Sequence, residues 1–258
     1  MKKLIKITMG TGDTNLVLLH GWGMNSKIWY SVIPFLKPYF KLHLIDLPGF
    51  GKNYQYNNMT IDEIINYLYL NIPHKSILLG WSLGGLIACK IALTYPDNII
   101  GIITVCSSPY FIKDNYWPGI SPMLLQEFSN NMKTNYLKTI KQFLFIQLGS
   151  YISKKKIEYL LKMILSEKQP TVLALESTLN ILYNTDLRKL IKKFTIPLLR
   201  IYGKFDSIVP HIIKNILDRD WKHTYSVTLE QSAHIPFISQ SIQFCKIILE
   251  FNSYIKNI

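Results

Sequence analysis

Gly80-Trp81-Ser82-Leu83-Gly84-Gly85 sets one hydroxyl among three glycines, straight after the short apolar run Ile77-Leu78-Leu79. Serine at its own pKa is a poor nucleophile and needs a base, itself oriented by an acid. A Gly-x-Ser-x-Gly between a buried strand and a helix describes a nucleophile elbow. That turn is so tight that flanking side chains would collide with the neighbouring strand or helix. Gly80 and Gly84 remove those collisions, and Gly85 lets the helix approach closely. The chemistry expected of Ser82 is attack on a carbonyl carbon.

The partners must come from distant stretches, and where an elbow of this kind carries a triad the chain order is Ser, acid, His. Of six histidines, only His211, His223 and His234 follow Ser82. His211 and His223 lie in the lysine-containing stretch 211–223, which reads as an exposed helix and its exit. His234, in Gln231-Ser232-Ala233-His234-Ile235-Pro236, sits just after a strand ending at Leu229 and is the expected base. Asp206, in Gly203-Lys204-Phe205-Asp206, follows the strand Leu198–Tyr202 at the sheet edge where ligands bind in such folds, and is the expected acid. Its competing reading is a turn aspartate bonded to its own backbone. Asp186 is a weaker candidate, and Asp218 and Asp220 belong with the exposed stretch around Arg219. The oxyanion needs donors too: the N–H of Leu83, directly after the nucleophile, and that of Trp22 in the loop His20-Gly21-Trp22-Gly23. His20 precedes the serine and reads as a hydrogen-bonded tie for that loop.

The elements that must position these groups follow from periodicity. Leu16–Leu19, Leu42–Ile45, Ile77–Leu79 and Ile100–Val105 read as short buried strands. Thr60–Leu70, opened by Thr60 with Glu63 three residues on, and Leu83–Tyr95, stopped by Pro96, read as helices between them. Alternating strands and helices predict an α/β fold with a mostly parallel sheet covered on both faces. From about Pro109 to Lys193 helical spacing dominates, with Leu137, Ile140, Leu144 and Leu148 on one face and Ile157, Leu160, Leu161 and Ile164 on another. Strands return at Ile196–Tyr202 and Tyr225–Leu229, and a helix closes the chain from about Ile242 to Phe251. The predicted division is a sheet core of residues 1–108 and 194–258, with 109–193 inserted as a helical cap.

Composition narrows the class. With 48% hydrophobic and 17% charged residues over 258, the chain suits one sizeable globular core. No apolar run reaches the 18 or so residues of a membrane span. Lys6 interrupts the opening Met1-Lys2-Lys3-Leu4-Ile5 before a signal-peptide core can form. Cys89, Cys106 and Cys245 are odd in number and widely spaced, the pattern of reduced cytoplasmic thiols without a metal or disulfide framework. Only Arg188, Arg200 and Arg219 are arginine among 29 basic residues, and the net charge is +13. Lysine crowded with Ile, Asn and Tyr is what an AT-rich genome imposes, yet a positive surface survives whatever its origin. No zinc spacing or aromatic–basic stacking signature points to nucleic acid.

His20-Gly21-Trp22-Gly23-Met24-Asn25, Asp46-Leu47-Pro48-Gly49-Phe50-Gly51, Gly80-Trp81-Ser82-Leu83-Gly84-Gly85, Trp117-Pro118-Gly119-Ile120 and Ala233-His234-Ile235-Pro236-Phe237-Ile238-Ser239 together resemble the pimeloyl-[acyl-carrier protein] methyl ester carboxylesterases of biotin synthesis. These belong to the α/β-hydrolase superfamily, and the likeness runs over nearly the whole chain. It implies an α/β-hydrolase fold, hydrolysis of the methyl ester of a carrier-bound pimeloyl chain by Ser82, His234 and Asp206, no cofactor and no metal. The family's substrate-binding positions fall on Trp22, Ser82, Leu83, His234 and the stretch Phe143, Leu144, Phe145, Ile146 and Gln147. Its partner is an acidic acyl-carrier protein received by basic cap residues. Lys138 matches one such position, Gln142 with Lys141 beside it stands at the next, and Tyr159 replaces a later one. Lys155, within Lys154-Lys155-Lys156, and Lys162 could compensate. A monomer is expected.

Two other classes compete. Another capped hydrolase acting on a free small ester or a C–C bond would share the scaffold, because one fold hosts many reactions. A dehalogenase would want Asp at position 82. A binder without activity would need none of the mutual geometry of Ser82, Asp206 and His234.

Overall fold

The computed structural model describes residues 4–56, 58–148 and 152–258; the basic start at Met1–Lys3 lies outside them. Seven strands form one sheet in the order β1-β3-β2-β4-β5-β6-β7. They are β1 (Lys6–Met9), β2 (Thr14–Leu19), β3 (Phe40–Ile45), β4 (Ser76–Trp81), β5 (Ile99–Val105), β6 (Leu198–Gly203) and β7 (Tyr225–Leu229). All neighbours pair in parallel except β1, which runs antiparallel to β3. β4 and β6 are buried at every position, as central parallel strands covered on both faces must be. β1 escaped the sequence reading because Lys-Ile-Thr-Met is short and half-exposed, and only its pairing with β3 makes it a strand.

Helices cover the faces: α1 (Ile33–Leu36), α2 (Ile61–Tyr69) and α3 (Leu83–Thr94) before the middle of the chain, then α8 (Ile212–Asp220), α9 (Pro236–Ser239) and α10 (Ser241–Lys256) after it. α2 starts with the reciprocal Thr60–Glu63 capping box that the sequence spells. α10 runs five residues past the expected end at Phe251, since Tyr254-Ile255-Lys256 continue the helical period and Ile255 is buried against Gly101.

Between β5 and β6 the chain leaves the sheet for α4 (Pro122–Thr134), α5 (Tyr136–Leu148), α6 (Lys154–Leu165) and α7 (Val172–Asn184). The two ends of this excursion meet. Leu187 N–H donates to Pro109 O at 2.8 Å. Arg188 bonds Asp186 and Asp114 and lies over the rings of Tyr110 and Trp117. Further ties bind the excursion to the sheet domain: Asn25 Nδ2 to Ile164 O (2.9 Å), Lys27 to Glu167 (2.7 Å) and Lys156 Nζ to Ile238 O (3.2 Å). Among the described residues no helix is long and apolar enough to cross a membrane, and the three cysteines are buried and unpaired.

The parallel register places the ends of β2, β3, β4, β5, β6 and β7 along one sheet edge, with Leu19 opposite Ile45 and Gly80, Trp81 opposite Val105, and Gly203 opposite Leu229. The loops leaving that edge carry His20–Trp22, Asp46, Ser82, Cys106, Asp206 and His234.

Candidate active site

Ser82 occupies the turn between β4 and α3 with φ 53° and ψ −118°, a backbone conformation that an L-residue adopts only under constraint. Such a residue costs on the order of 1–3 kcal/mol and persists only where its surroundings over-determine it. Here they do. A Cβ at Gly80 would stand 2.2 Å from Gly84 O, and one at Gly84 would stand 2.4 Å from Leu19 O. Ser82 N–H donates to Val105 O at 2.9 Å, and Ser107 Oγ donates to Ser82 O at 2.7 Å. The elbow is therefore held by the strands on both sides and cannot relax by itself.

Asp206 and His234 meet because their two loops are fastened together at the end of the β6–β7 pair. Lys204 N–H donates to Leu229 O (3.1 Å) and Phe205 N–H to Ser232 O (3.0 Å). The crossing is possible only at a glycine, since a Cβ on Gly203 would lie 1.9 Å from Ala233 O. The two readings of Asp206 hold at once. Its Oδ1 accepts from the N–H groups of Ile208 (2.9 Å) and Val209 (3.0 Å), forming the turn, while Oδ2 takes the Nδ1–H of His234 at 2.7 Å. With Nδ1 bonded to a carboxylate, the neutral ring carries its proton there and leaves Nε2 as an acceptor. Both side chains are 1% exposed. Nε2 is buried without a hydrogen-bond partner among the described residues, so no bond joins Ser82 Oγ to it here and its lone pair is open. Such contacts tighten when substrate is bound.

Two backbone donors stand near the elbow. Leu83 is the first residue of α3, where the N–H has no partner inside the helix. The N–H of Trp22 donates to no group among the described residues. His20 is the tie that its position suggested: Nδ1–H donates to Gly21 O (2.8 Å) and Nε2 accepts from Leu47 N–H (2.9 Å). Burial pushes its pKa below the ordinary histidine value against the pull of Asp46, so the ring stays neutral. Asp46 is spent on its own loop, accepting from Ser26 N–H (2.6 Å) and Lys52 N–H (2.9 Å).

The excursion supplies an apolar wall. Trp22, buried at 4% exposure, packs its ring 6.2 Å from Phe143 and 5.2 Å from Phe128, and those two phenyl rings lie 4.7 Å apart. Trp22 Nε1 is fixed by Leu175 O at 3.1 Å. Phe128 was missed by the sequence reading. Its signal was its spacing from Leu125 and Met132, the buried apolar residues of α4. Of the 143–147 stretch, Leu144 and Gln147 are buried and Phe143 partly so, but Phe145 is 38% and Ile146 55% exposed. A 3.6-residue period cannot aim five consecutive side chains at one site, and these two point away from the wall.

Other expectations are refined. Lys138, Lys141, Lys155 and Lys162 are exposed, as are Gln142 and Tyr159. Lys156 is occupied by Ile238 O and is a fastening rather than a free cation. Asp186 is taken by Arg188. Asp218 is not a solvated surface group: it bonds buried Arg200 (2.8 Å), Lys214 (2.6 Å) and Ser226 (2.7 Å). His211 is half-buried, bonded to Thr228 Oγ1 at 2.9 Å. Cys106 had no sequence signal, yet it lies with Asp206 and His234 inside a 4.8 Å cluster. Burial and then Asp206 push its thiol well above the usual range, and the other two side chains spend their nearest atoms on each other, so the trio is poor in free donors for a cation.

The family profile described as alpha/beta hydrolase fold matches residues 14–241. A pimeloyl-[acyl-carrier protein] methyl ester esterase of Yersinia pseudotuberculosis serotype IB is 42% identical over 252 residues, covering 97% of this chain and 98% of that one. The protein of the same name from Pectobacterium carotovorum is 39% identical, covering 95% and 96%. Among solved structures, an esterase from Exiguobacterium antarcticum superposes with a TM-score of 0.84 at 21% identity over 98% of this chain and 94% of its own, which speaks for the fold alone. With its fold, its strained elbow and nearly full-length relatives, the chain belongs to the α/β-hydrolases and, within them, to the pimeloyl-[acyl-carrier protein] methyl ester esterase family.

Proposed function

We propose that the protein hydrolyses the methyl ester of a pimeloyl chain borne on acyl-carrier protein, a step of biotin synthesis, with Ser82 as nucleophile, His234 as base and Asp206 as the group that orients it. The observation that carries this reading is the buried Asp206–His234 pair with an open Nε2, at the same sheet edge as a serine held at φ 53°. His234 Nε2 takes the Ser82 proton as Oγ attacks the ester carbonyl, and Asp206 stabilises the imidazolium. The N–H groups of Leu83 and Trp22 receive the developing oxyanion. Methanol leaves with the proton returned by His234, and water activated by the same nitrogen then releases the free carboxylate from the acyl-enzyme.

Residues 109–193 serve in this reading as a cap over the site. Trp22, Phe143, Leu144 and Gln147 with Phe128 line the acyl path, and Lys138, Lys141 and Lys155 receive the acidic carrier. Their exposure and like charge support that role: at ordinary ionic strength a Debye length of roughly 10 Å lets such a field reach an approaching partner. The decisive experiment compares the carrier-bound methyl ester with a short p-nitrophenyl ester as salt is raised. Carrier turnover should fall while small-ester turnover barely changes; equal responses would favour a hydrolase of free small esters. Rescue of a biotin-requiring strain lacking its own esterase tests the physiological role.

A further inference from the structure

Trp81, the residue before the nucleophile, is fully buried at the end of β4 and touches three loops at once. Its Nε1–H donates to the backbone carbonyl of His234 at 2.8 Å. Its ring centroid lies 5.6 Å from the His234 imidazole and 5.4 Å from Phe237, in the short helix α9 that follows His234. On the other side the indole presses on Gly21, where a Cβ would come within 2.9 Å of ring carbon Cε3. Gly21 is the residue before Trp22. One rigid bicyclic side chain thus spans the elbow, the base and the loop of the second oxyanion donor.

The backbone of His234 has two polar handles, and both are held. Its N–H donates to Gln147 O at 2.9 Å, from the last turn of α5, and its C=O accepts from Trp81. Asp206 fixes ring rotation through Nδ1 but says nothing about where the ring is carried. The Gln147 bond comes from the excursion, outside the sheet. Trp81 is therefore the tie that references the base to the strand carrying the nucleophile. A phenylalanine there would fill much of the space and leave a buried carbonyl unpaired.

We propose that Trp81 is a positioning residue: its indole N–H sets the distance between His234 Nε2 and Ser82 Oγ, and its ring sets the height of the Gly21–Trp22 turn. This rests on the Ser82–His234–Asp206 reading. Because a displacement of about 1 Å at reacting groups costs roughly a hundredfold in rate, the loss of one tie should lower kcat by about tenfold or more. KM should stay within about twofold, because Trp81 touches the machinery rather than the acyl path.

The test replaces Trp81 with benzothienylalanine, which keeps the bicyclic shape and exchanges the N–H for sulfur, alongside Trp81→Phe. Active sites are counted with a serine-directed phosphonate, so unfolded material does not enter kcat. The expected result is full eventual labelling at a rate about tenfold lower, with kcat lowered equally on carrier-bound and short esters. Wild-type kcat in the benzothienyl protein overturns the proposal, as does a change confined to KM or to thermal stability. Ser82→Ala run in parallel keeps the two ideas apart: full activity there would sink the triad, whatever position 81 does.

Discussion

The sheet edge and the helical excursion meet where Trp22 packs on Phe128 and Phe143, and they are held by different means. At the edge, backbone bonds fix the elbow and the acid and base loops to their neighbours: Ser82 to Val105, Lys204 to Leu229, Phe205 to Ser232. Approaches there are so close that glycine is obligatory at 80, 84 and 203. The excursion is tied to the sheet domain mainly through side chains, and it exposes Met123 (78%), Leu124 (61%), Leu137 (59%), Ile146 (55%) and Tyr159 (61%). Rigid backbone gives the reacting atoms their geometry, whereas a loosely fastened helical layer with apolar and basic faces suits selection of a large partner. In the proposed function, chemistry falls to the first region and carrier recognition to the second.

Breaking the edge should have the largest effect. Ser82→Ala removes the proposed nucleophile and is expected to cut ester turnover by about 10⁴-fold or more, as for serine in other triads. It should leave thermal unfolding unchanged or slightly improved, because alanine at φ 53° is no worse than serine there. Gly203→Ala ranks next. Its Cβ would sit 1.9 Å from Ala233 O and must push the His234 loop outward. Turnover should fall by roughly a hundredfold, with a lowered unfolding temperature. Comparable activity in Gly203→Ala would mean that the acid–base loop tolerates displacement, and the contrast between edge and excursion would fail.

Much of the edge was legible because its constraints are local. Gly-x-Ser-x-Gly after an apolar run, and an aspartate and a histidine each just past a strand, announce themselves in short windows. β1 was missed because Lys6–Met9 becomes a strand only through β3. Phe128 and Cys106 were missed because their neighbours are brought in by tertiary packing: Phe128 by the α4–α5 crossing onto Trp22, Cys106 by the β5–β6 pairing. The family resemblance marks 143–147 as one block, whereas helical geometry divides it between wall and solvent. Gly203 carried a signal, a glycine ending a strand, but the backbone it admits lies thirty residues away.

The excursion side of the contrast is sharpened by charge reversal. Lys138→Glu with Lys141→Glu and Lys155→Glu should raise KM for the carrier-bound ester by about tenfold at low salt, with kcat on a short ester within about twofold. High salt should erase the difference. An equal loss on both esters would show that these lysines support the excursion's packing instead.

Acidification separates the two regions by the smallest effect. Residues 109–193 contain no histidine, whereas the sheet buries His20 and His43. His43 bonds Asn15 Oδ1 at 2.9 Å and Thr8 Oγ1 at 3.3 Å. Burial, then the charges of Lys6 and Lys41, press its pKa down to about 4 from 6.5. Below pH 6.5 the unfolded chain takes a proton that the folded ring refuses, so stability is lost as pH falls from about 6.5 towards 4 and levels off beneath. Discounted for solvent and counter-ions beside the outer strand β1, the contribution is about 1 kcal/mol, or roughly 2–4 °C in a chain of this size. His43→Gln should flatten that part of the unfolding-temperature profile between pH 7 and 5, where carboxylates add little. Hydrogen exchange over the same range should show β1–β3 losing protection before α4–α7. Loss of protection confined to α4–α7, with His43→Gln unchanged from wild type, would place the acid-sensitive element in the excursion and remove His43 from this role.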